Sequence, residues 1–170
     1  MFMSPLTQVK PWQMKGVEGV SRFLAKVWRV IYNENQAGEW TWSGKVVDEE
    51  PTDKAILKVL HEAVKKGGED IEKLSFNTAI SQMMICTNTF TKAEKVPAVL
   101  LRDFLKCLNP FAPHITEEIH QQLGEACPSA KCSTGRILSD RAWPSYDEAL
   151  MVESEVTIVV QVNGKLRAKL

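Results

Sequence analysis

The sequence has no excess of either charge, no long apolar run and few cysteines. Its 170 residues include 21 basic and 21 acidic side chains, so the formal net charge is zero. This balance disfavours a nucleic-acid binder of the histone type, although it is compatible with a local basic stripe. The sequence contains no run of about 18 apolar residues, which a membrane-spanning helix would need. Residues 1–15 lack the apolar core of a signal peptide. We therefore expect a cytoplasmic protein that contacts no membrane.

The four cysteines do not have the spacing of a structural zinc site. Such sites use close pairs of cysteines on tight turns, and only one loose pair, Cys127 and Cys132, is present. Cys86 and Cys107 lie in apolar helical patterns, where a free thiol behaves as a small hydrophobic side chain. We expect reduced thiols and no bound metal, and we keep a zinc-binding enzyme as the third alternative.

Apolar residues recur with a helical period in five segments, which predicts a mainly α-helical bundle. The segments are residues 16–34, 53–76, 77–93, 96–108 and 113–124. Thr52 or Asp53 is expected to cap the second segment, and Gly67–Gly68 to weaken or bend it. In the first segment Arg22, Lys26 and Arg29 fall together, opposite the apolar face.

The sequence changes character after the helical segments. Residues 155–170 are rich in β-branched side chains and contain Asn163–Gly164, a strong signal for a two-residue hairpin turn. One hairpin cannot stand alone in water, so we expect a truncated second domain. The predicted organisation is a helical bundle over residues 1–150 and the start of an α/β domain over residues 151–170.

The stretch "LNPFAPHITEEIH", residues 108–120, suggests either a catalytic site or the start of a helix. His114 and His120 are six residues apart, so on a helix they point about 600° apart and do not share a face. A zinc motif of the His-Glu-x-x-His type needs histidines four residues apart. Pro113 suits the first turn of a helix, and Glu117 and Glu118 suit its positive end. We favour the structural interpretation and predict no catalytic residue in the chain.

Five stretches in unbroken order resemble the C-terminal part of bacterial-type leucyl-tRNA synthetases. They are "GVEGVSRFLAKVWRV", "FNTAI", "LNPFAPHITEEIH", the Trp-Pro pair at 143–144 and "VVQVNGKLRAKL". The resemblance covers residues 16–170 and implies a helical anticodon-binding domain followed by a small α/β domain. The third stretch alone would also fit isoleucyl and valyl enzymes, which form the main alternative; the last stretch favours the leucine enzymes.

The resemblance also implies what the chain lacks and what it binds. The family's adenylate-forming motifs, His-x-Gly-His and Lys-Met-Ser-Lys-Ser, do not occur in it. The parent protein would be a leucine–tRNA ligase whose catalytic domain uses ATP with magnesium, whereas this fragment would need no cofactor. Its expected partners are tRNA(Leu) and the other domains of the parent, and not DNA.

Several basic residues are candidates for binding the tRNA backbone, because phosphate contacts position a nucleic acid without reading its sequence. They are Lys15, Arg22, Lys26 and Arg29 on the first helix, Lys58 on the second, and Lys165 and Arg167 on the last strand. Lys65 and Lys66 are weaker candidates, and Lys169 alternates with Lys165 and Arg167. A second alternative function is a stand-alone helical interaction module anchored by Trp40 and Trp42.

Overall fold

The computed structural model describes residues 2–9, 14–126, 137–151, 159–162 and 165–169. Within these residues the chain forms five α-helices and three pairs of short strands. The helices are α1 (Met14–Ile31), α2 (Lys54–Glu72), α3 (Phe76–Lys92), α4 (Ala98–Leu108) and α5 (Pro113–Ala126). The strands are β1 (Tyr32–Glu34), β2 (Trp40–Trp42), β3 (Val46–Val47), β4 (Val96–Pro97), β5 (Val159–Val162) and β6 (Lys165–Lys169). The predicted helical bundle with a C-terminal hairpin is confirmed.

One apolar core joins the five helices, because each presents a face of buried aliphatic and aromatic side chains to its neighbours. The α2–α3 pair forms the main contact, α4 packs on α2, and α1 packs on α3 and α5. Phe90 and Phe104 meet edge to face at the centre, with ring centroids 5.3 Å apart. Burial of these large apolar side chains is the main stabilising contribution, at roughly 2–3 kcal/mol for each one.

Helix α2 begins and ends by recognisable local chemistry. The Asp53 carboxylate accepts hydrogen bonds from the Ala55 and Ile56 amides, and so acts as the N-cap. At the other end the Ser75 amide donates to the Asp70 carbonyl and the Leu74 amide donates to that of Ile71. This pattern is a Schellman motif, with Leu74 in the left-handed region at φ 56°.

One expectation for this region is confirmed and another is wrong. The expected long helix runs through Gly67–Gly68, since α2 is continuous from Lys54 to Glu72. The prediction that Leu74 continues the apolar face of α2 fails, because α2 has already ended and the Leu74 side chain is 58% exposed. A left-handed residue turns the chain out of the helix, so apolar periodicity cannot extend across it.

The segment after α1 is more ordered than the predicted loop. Strands β1 and β2 form an antiparallel hairpin, which pairs Tyr32 with Trp42 and Glu34 with Trp40. Trp28 of α1 stacks on Tyr32, with ring centroids 4.5 Å apart, and meets Trp40 edge to face at 6.4 Å. The two loop tryptophans are therefore packed against the end of α1, although Trp40 stays 41% exposed.

The start of α4 is also displaced from its predicted position. Val96 and Pro97 are extended rather than helical and form β4, which pairs in parallel with β3. Pro97 occupies the N-cap of α4, so the helix begins at Ala98. Proline lacks an amide hydrogen and therefore fits a strand end and a helix entry equally well.

The C-terminal strands pair in the predicted antiparallel way. Val162 pairs with Lys165 and Val159 pairs with Lys169, whereas the turn residues Asn163 and Gly164 lie outside the described residues. The register shifts between Val160, which pairs with Ala168, and Gln161, which pairs with Leu166. Arg167 is thus the extra residue of a β-bulge. The expectation that Lys165, Arg167 and Lys169 alternate regularly along this strand therefore fails at Arg167.

Candidate nucleic-acid interface

Arg22, Lys26 and Arg29 form a basic stripe on the outer side of α1. All three are exposed, whereas Phe23 and Val27 between them are buried in the core. The intervals of four and three residues place the three side chains about 6 Å and 4.5 Å apart along the helix axis. The predicted stripe is therefore a contiguous cationic surface about two helical turns long.

The two arginines of this stripe are available for an external anion. Within the part of the chain that the structure describes, neither Arg22 nor Arg29 makes a hydrogen bond or an ion pair. A guanidinium group presents several donors in a planar fork that matches the oxygens of a phosphate. Arg22 and Arg29 can thus bind phosphates without first breaking a side-chain hydrogen bond or ion pair to any described residue.

Lys26 connects the stripe to the neighbouring helix. Its Nζ donates to Oδ1 of Asn88 on α3, at 2.8 Å. Lys92 follows Asn88 by one helical turn, so both lie on the same outward face of α3. Lys92 is exposed and has no ion-pair partner among the described residues. The cationic surface therefore extends from α1 onto α3.

Sequence reasoning missed Asn88 and Lys92, and it also missed Lys45. The Lys45 ammonium donates to the Thr91 carbonyl at 2.6 Å, in the last turn of α3, where the helix dipole favours a cation. In the sequence, Lys92 is recognisable only as a charged residue near the end of a predicted helix. Nothing local indicated that α3 packs beside α1.

Three of the four lysines of α2 make intramolecular pairs instead. Lys58 lies 4.0 Å from the Glu62 carboxylate, and its side chain is only 25% exposed. Lys65 donates to Glu148 at 2.6 Å, which raises the pKa of Lys65, and Lys66 lies 3.4 Å from Asp70. The packing also separates α2 from α1, since α3 contacts both helices. Lys58 therefore does not join the stripe.

The remaining candidates are located by backbone only. Lys15 lies in α1, seven residues before Arg22, and so two turns along the same side of the helix. Lys165 and Arg167 lie in β6. The side chains of these three residues are outside what the structure describes.

The stretch at 108–120 forms a hydrogen-bonded corner between α4 and α5. The buried Asn109 amide donates to Thr116 Oγ1 at 3.0 Å and to Glu117 Oε1 at 3.1 Å. Glu117 in turn accepts the backbone amides of Leu138 and Ser139, at 2.9 and 3.3 Å. Asn109, Thr116 and Glu117 thus all have structural partners, and the corner joins three segments of the chain.

The two histidines of the stretch have different environments. His114 is exposed at the start of α5, whereas His120 is buried on the opposite side. Burial lowers the pKa of His120, and the nearby Arg141 lowers it further. No group of three potential metal ligands occurs among the described residues, and Cys127 and Cys132 lie outside them.

Comparison with known proteins identifies the family of the chain. The family model described as "Anticodon-binding domain of tRNA ligase" matches residues 53–170. The chain belongs to the anticodon-binding domains of tRNA ligases. The resemblance inferred from the five sequence stretches is thereby confirmed.

Curated relatives of this anticodon-binding domain carry the name leucine–tRNA ligase. The chain is 47% identical to that of Chlorobaculum tepidum over 98% of its own length, and 44% identical to that of Rhodopirellula baltica over 100%. These matches cover 19% and 17% of the two relatives. The chain thus spans about a fifth of the length of these relatives.

A solved structure has the same fold. It is the ternary complex of the Agrobacterium radiobacter K84 agnB2 LeuRS with tRNA and LeuAMS, with a TM-score of 0.68 and 24% sequence identity. The match covers 99% of this chain and 22% of the other. In the present structure no described helix is long and apolar enough to cross a membrane.

Proposed function

We propose that this domain binds tRNA(Leu) for a cytoplasmic leucine–tRNA ligase, through the α1 stripe and its extension on α3. The observation that carries the proposal is the pair of exposed arginines, Arg22 and Arg29, which lack a partner among the described residues. The leucine–tRNA ligase names of the relatives support the choice of substrate. Lys26 and Lys15 complete the proposed site on α1, with Lys165 and Arg167 as contributions from the last strand.

Recognition at this surface depends on phosphate positions and helix shape. Cations on one face of a helix contact the sugar–phosphate backbone, which carries no sequence information by itself. Ligation of leucine would take place in another domain of the parent, with ATP and magnesium bound there. The remaining domains of the parent are the second class of partner, and neither DNA nor a membrane is a partner.

The domain organisation belongs to the same proposal. Residues 1–150 form the tRNA-binding bundle, and residues 151–170 begin a following α/β domain that supplies strands β5 and β6. The stand-alone interaction module is disfavoured because Trp28, Tyr32 and Trp42 pack on one another. Of the proposed anchors, only Trp40 keeps a substantial exposed surface.

A salt titration of tRNA binding tests the proposal. The chain is titrated with a labelled tRNA(Leu) transcript at several potassium chloride concentrations. We expect Arg22→Gln combined with Arg29→Gln to weaken binding and to reduce the slope of log K against log salt by about 1–2, since each lost phosphate contact removes about 0.7–0.9. Lys54→Gln with Lys73→Gln is the matched control, because it removes two exposed charges at the two ends of α2.

The two variants separate the possible outcomes. Equal losses in both would show that only net charge matters, and would refute the assignment to α1. Binding by the unsubstituted chain that does not change between low and high salt would refute phosphate recognition altogether.

A further inference from the structure

Residues 143–150 run along α2 as a strap, which is extended over residues 143–147 and ends in the 3-10 turn Glu148–Leu150. Trp143 contacts Gly67 and Gly68, whereas Asp147 lies four residues later and contacts His61, about two turns closer to the start of α2. Seven helical residues span about 10 Å, and four extended residues span about 13 Å, so the strap lies nearly straight and antiparallel to the helix.

The glycine pair forms the seat for Trp143. A Cβ at residue 67 would lie 3.3 Å from the Trp143 ring, and a Cβ at residue 68 would lie 3.3 Å from its Nε1. The indole N–H donates to the Val64 carbonyl at 3.1 Å. Because a Cβ in a helix points towards the preceding turn, a side chain at position 68 would obstruct the approach to this carbonyl.

Three polar contacts hold the rest of the strap. The Asp147 amide donates to Nδ1 of His61 at 2.9 Å. Glu148 forms an ion pair with Lys65 at 2.6 Å, and the Lys65 ammonium lies 5.6 Å from the ring centroid of Tyr146. Pro144, which is buried, restricts Trp143 to extended backbone conformations. The strap thus docks on α2 through side chains from both partners.

We infer that Gly67–Gly68 and Trp143 are positioning residues: they dock the strap on α2 and so set where the chain leaves the bundle for β5 and β6. This role explains why α2 keeps two adjacent glycines, each of which disfavours a helix relative to alanine. It rests on the proposed function only in that the positioned strands carry two of the candidate tRNA-binding residues, Lys165 and Arg167.

Urea unfolding of this chain tests the seat without any RNA. In the Trp143→Ala background, Gly68→Ala should lower the unfolding equilibrium constant by about fourfold to fivefold, as expected from helix propensity. With Trp143 present, the same substitution should give no such gain, because it displaces the indole. Gly19→Ala is the matched control, since its added Cβ meets no described atom within 4 Å outside the backbone of its own helix, and it should give the gain in both backgrounds. An equal gain in stability from Gly68→Ala in both backgrounds would refute the claim that Gly68 accommodates the Trp143 indole.

Hydrogen exchange and tRNA binding test the positioning role. Gly68→Ala should speed exchange of the Asp147 amide, which donates to His61, and should weaken tRNA binding severalfold at an unchanged salt slope. The salt slope is unchanged because the same cations still contact phosphates. The affinity falls because an undocked strap loses more conformational entropy when tRNA binds. Faster exchange with unaltered affinity would overturn the positioning role. If the unsubstituted chain binds no tRNA, the proposed function fails, whereas the unfolding and exchange measurements still decide whether the strap docks.

Discussion

The Glu117 carboxylate accepts the backbone amide of Leu138 at 2.9 Å, and thereby ties α5 to a segment 21 residues further along the chain. The same carboxylate accepts the Ser139 amide and the side-chain amide of Asn109. A carboxylate at the start of the 3-10 turn Leu138–Asp140 satisfies amides that have no partner within the turn. This contact gives a structural reason for the acidic residue in the stretch at 108–120.

Glu117→Gln should lower the free energy of unfolding by about 1–2 kcal/mol, because a side-chain amide cannot accept on both of its atoms and loses the charge-assisted bonds. Urea unfolding measures the change. Glu118→Gln is the control, since Glu118 is exposed and contacts only Gln122 among the described residues. If the two variants lose the same stability, the Glu117 contacts contribute nothing specific.

Stability should fall as the pH drops below the ordinary histidine pKa of 6.5, because the pKa of His120 is lowered in the folded protein. Burial and Arg141, followed by Arg102 and Lys106, disfavour the imidazolium, whereas Glu117 favours it. The unfolded chain therefore binds more protons between the lowered pKa and 6.5, and stability is lost as the pH falls through that window.

Unfolding midpoints measured between pH 5 and 7.5 check the His120 prediction. His120→Gln should flatten the pH dependence of stability in this range. A pH profile that stays the same in this variant would contradict the prediction.

Leu74→Gly should stabilise the chain by about 0.5–1 kcal/mol. Leu74 has a φ of 56°, a conformation that costs roughly 1–2 kcal/mol with a Cβ and little in glycine. The side chain is 58% exposed, so its removal loses little burial. Leu74→Ala keeps the strain and should bring no gain in chemical denaturation; a gain as large as that of the glycine variant would exclude strain as the cause.

Lys92→Gln should weaken tRNA binding and reduce the salt slope by about 0.7–0.9, as for one lost phosphate contact. Lys95 provides the control three residues away, because its ammonium is already paired with Glu49 at 2.8 Å. Lys95→Gln should change the slope little. The salt titration that tests Arg22 and Arg29 also measures the Lys92 and Lys95 variants. If both variants reduce the slope equally, the tRNA-binding surface extends beyond α3.

Cys86 and Cys107 should resist alkylation in the folded chain and react after unfolding. Both thiols are buried, and loss of solvation raises the pKa of each, which disfavours the reactive thiolate. Mass spectrometry of the peptides measures the extent of alkylation at each cysteine separately. Rapid modification of either one under native conditions would contradict the prediction.

Local features of the fold could be read directly from the sequence. Helical periodicity located all five helices, Asp53 was one of two expected caps, and Asn163–Gly164 predicted the pairing of β5 with β6. Errors arose where backbone geometry overrides side-chain pattern, as at Leu74 in its left-handed conformation and at Val96–Pro97 in the strand before α4.

The sequence by itself determined the basic stripe of α1, because its residues lie close together in the chain, and the family, because five short stretches occur in unbroken order. Only the tertiary structure decided which surface adjoins that stripe, which lysines are already paired, and which side chain packs on the two glycines of α2. The contacts that settle these points join Lys26 to Asn88, Lys65 to Glu148 and Trp143 to Val64, across 62, 83 and 79 residues. Such contacts follow from how helices pack around a shared core, and no local pattern encodes them.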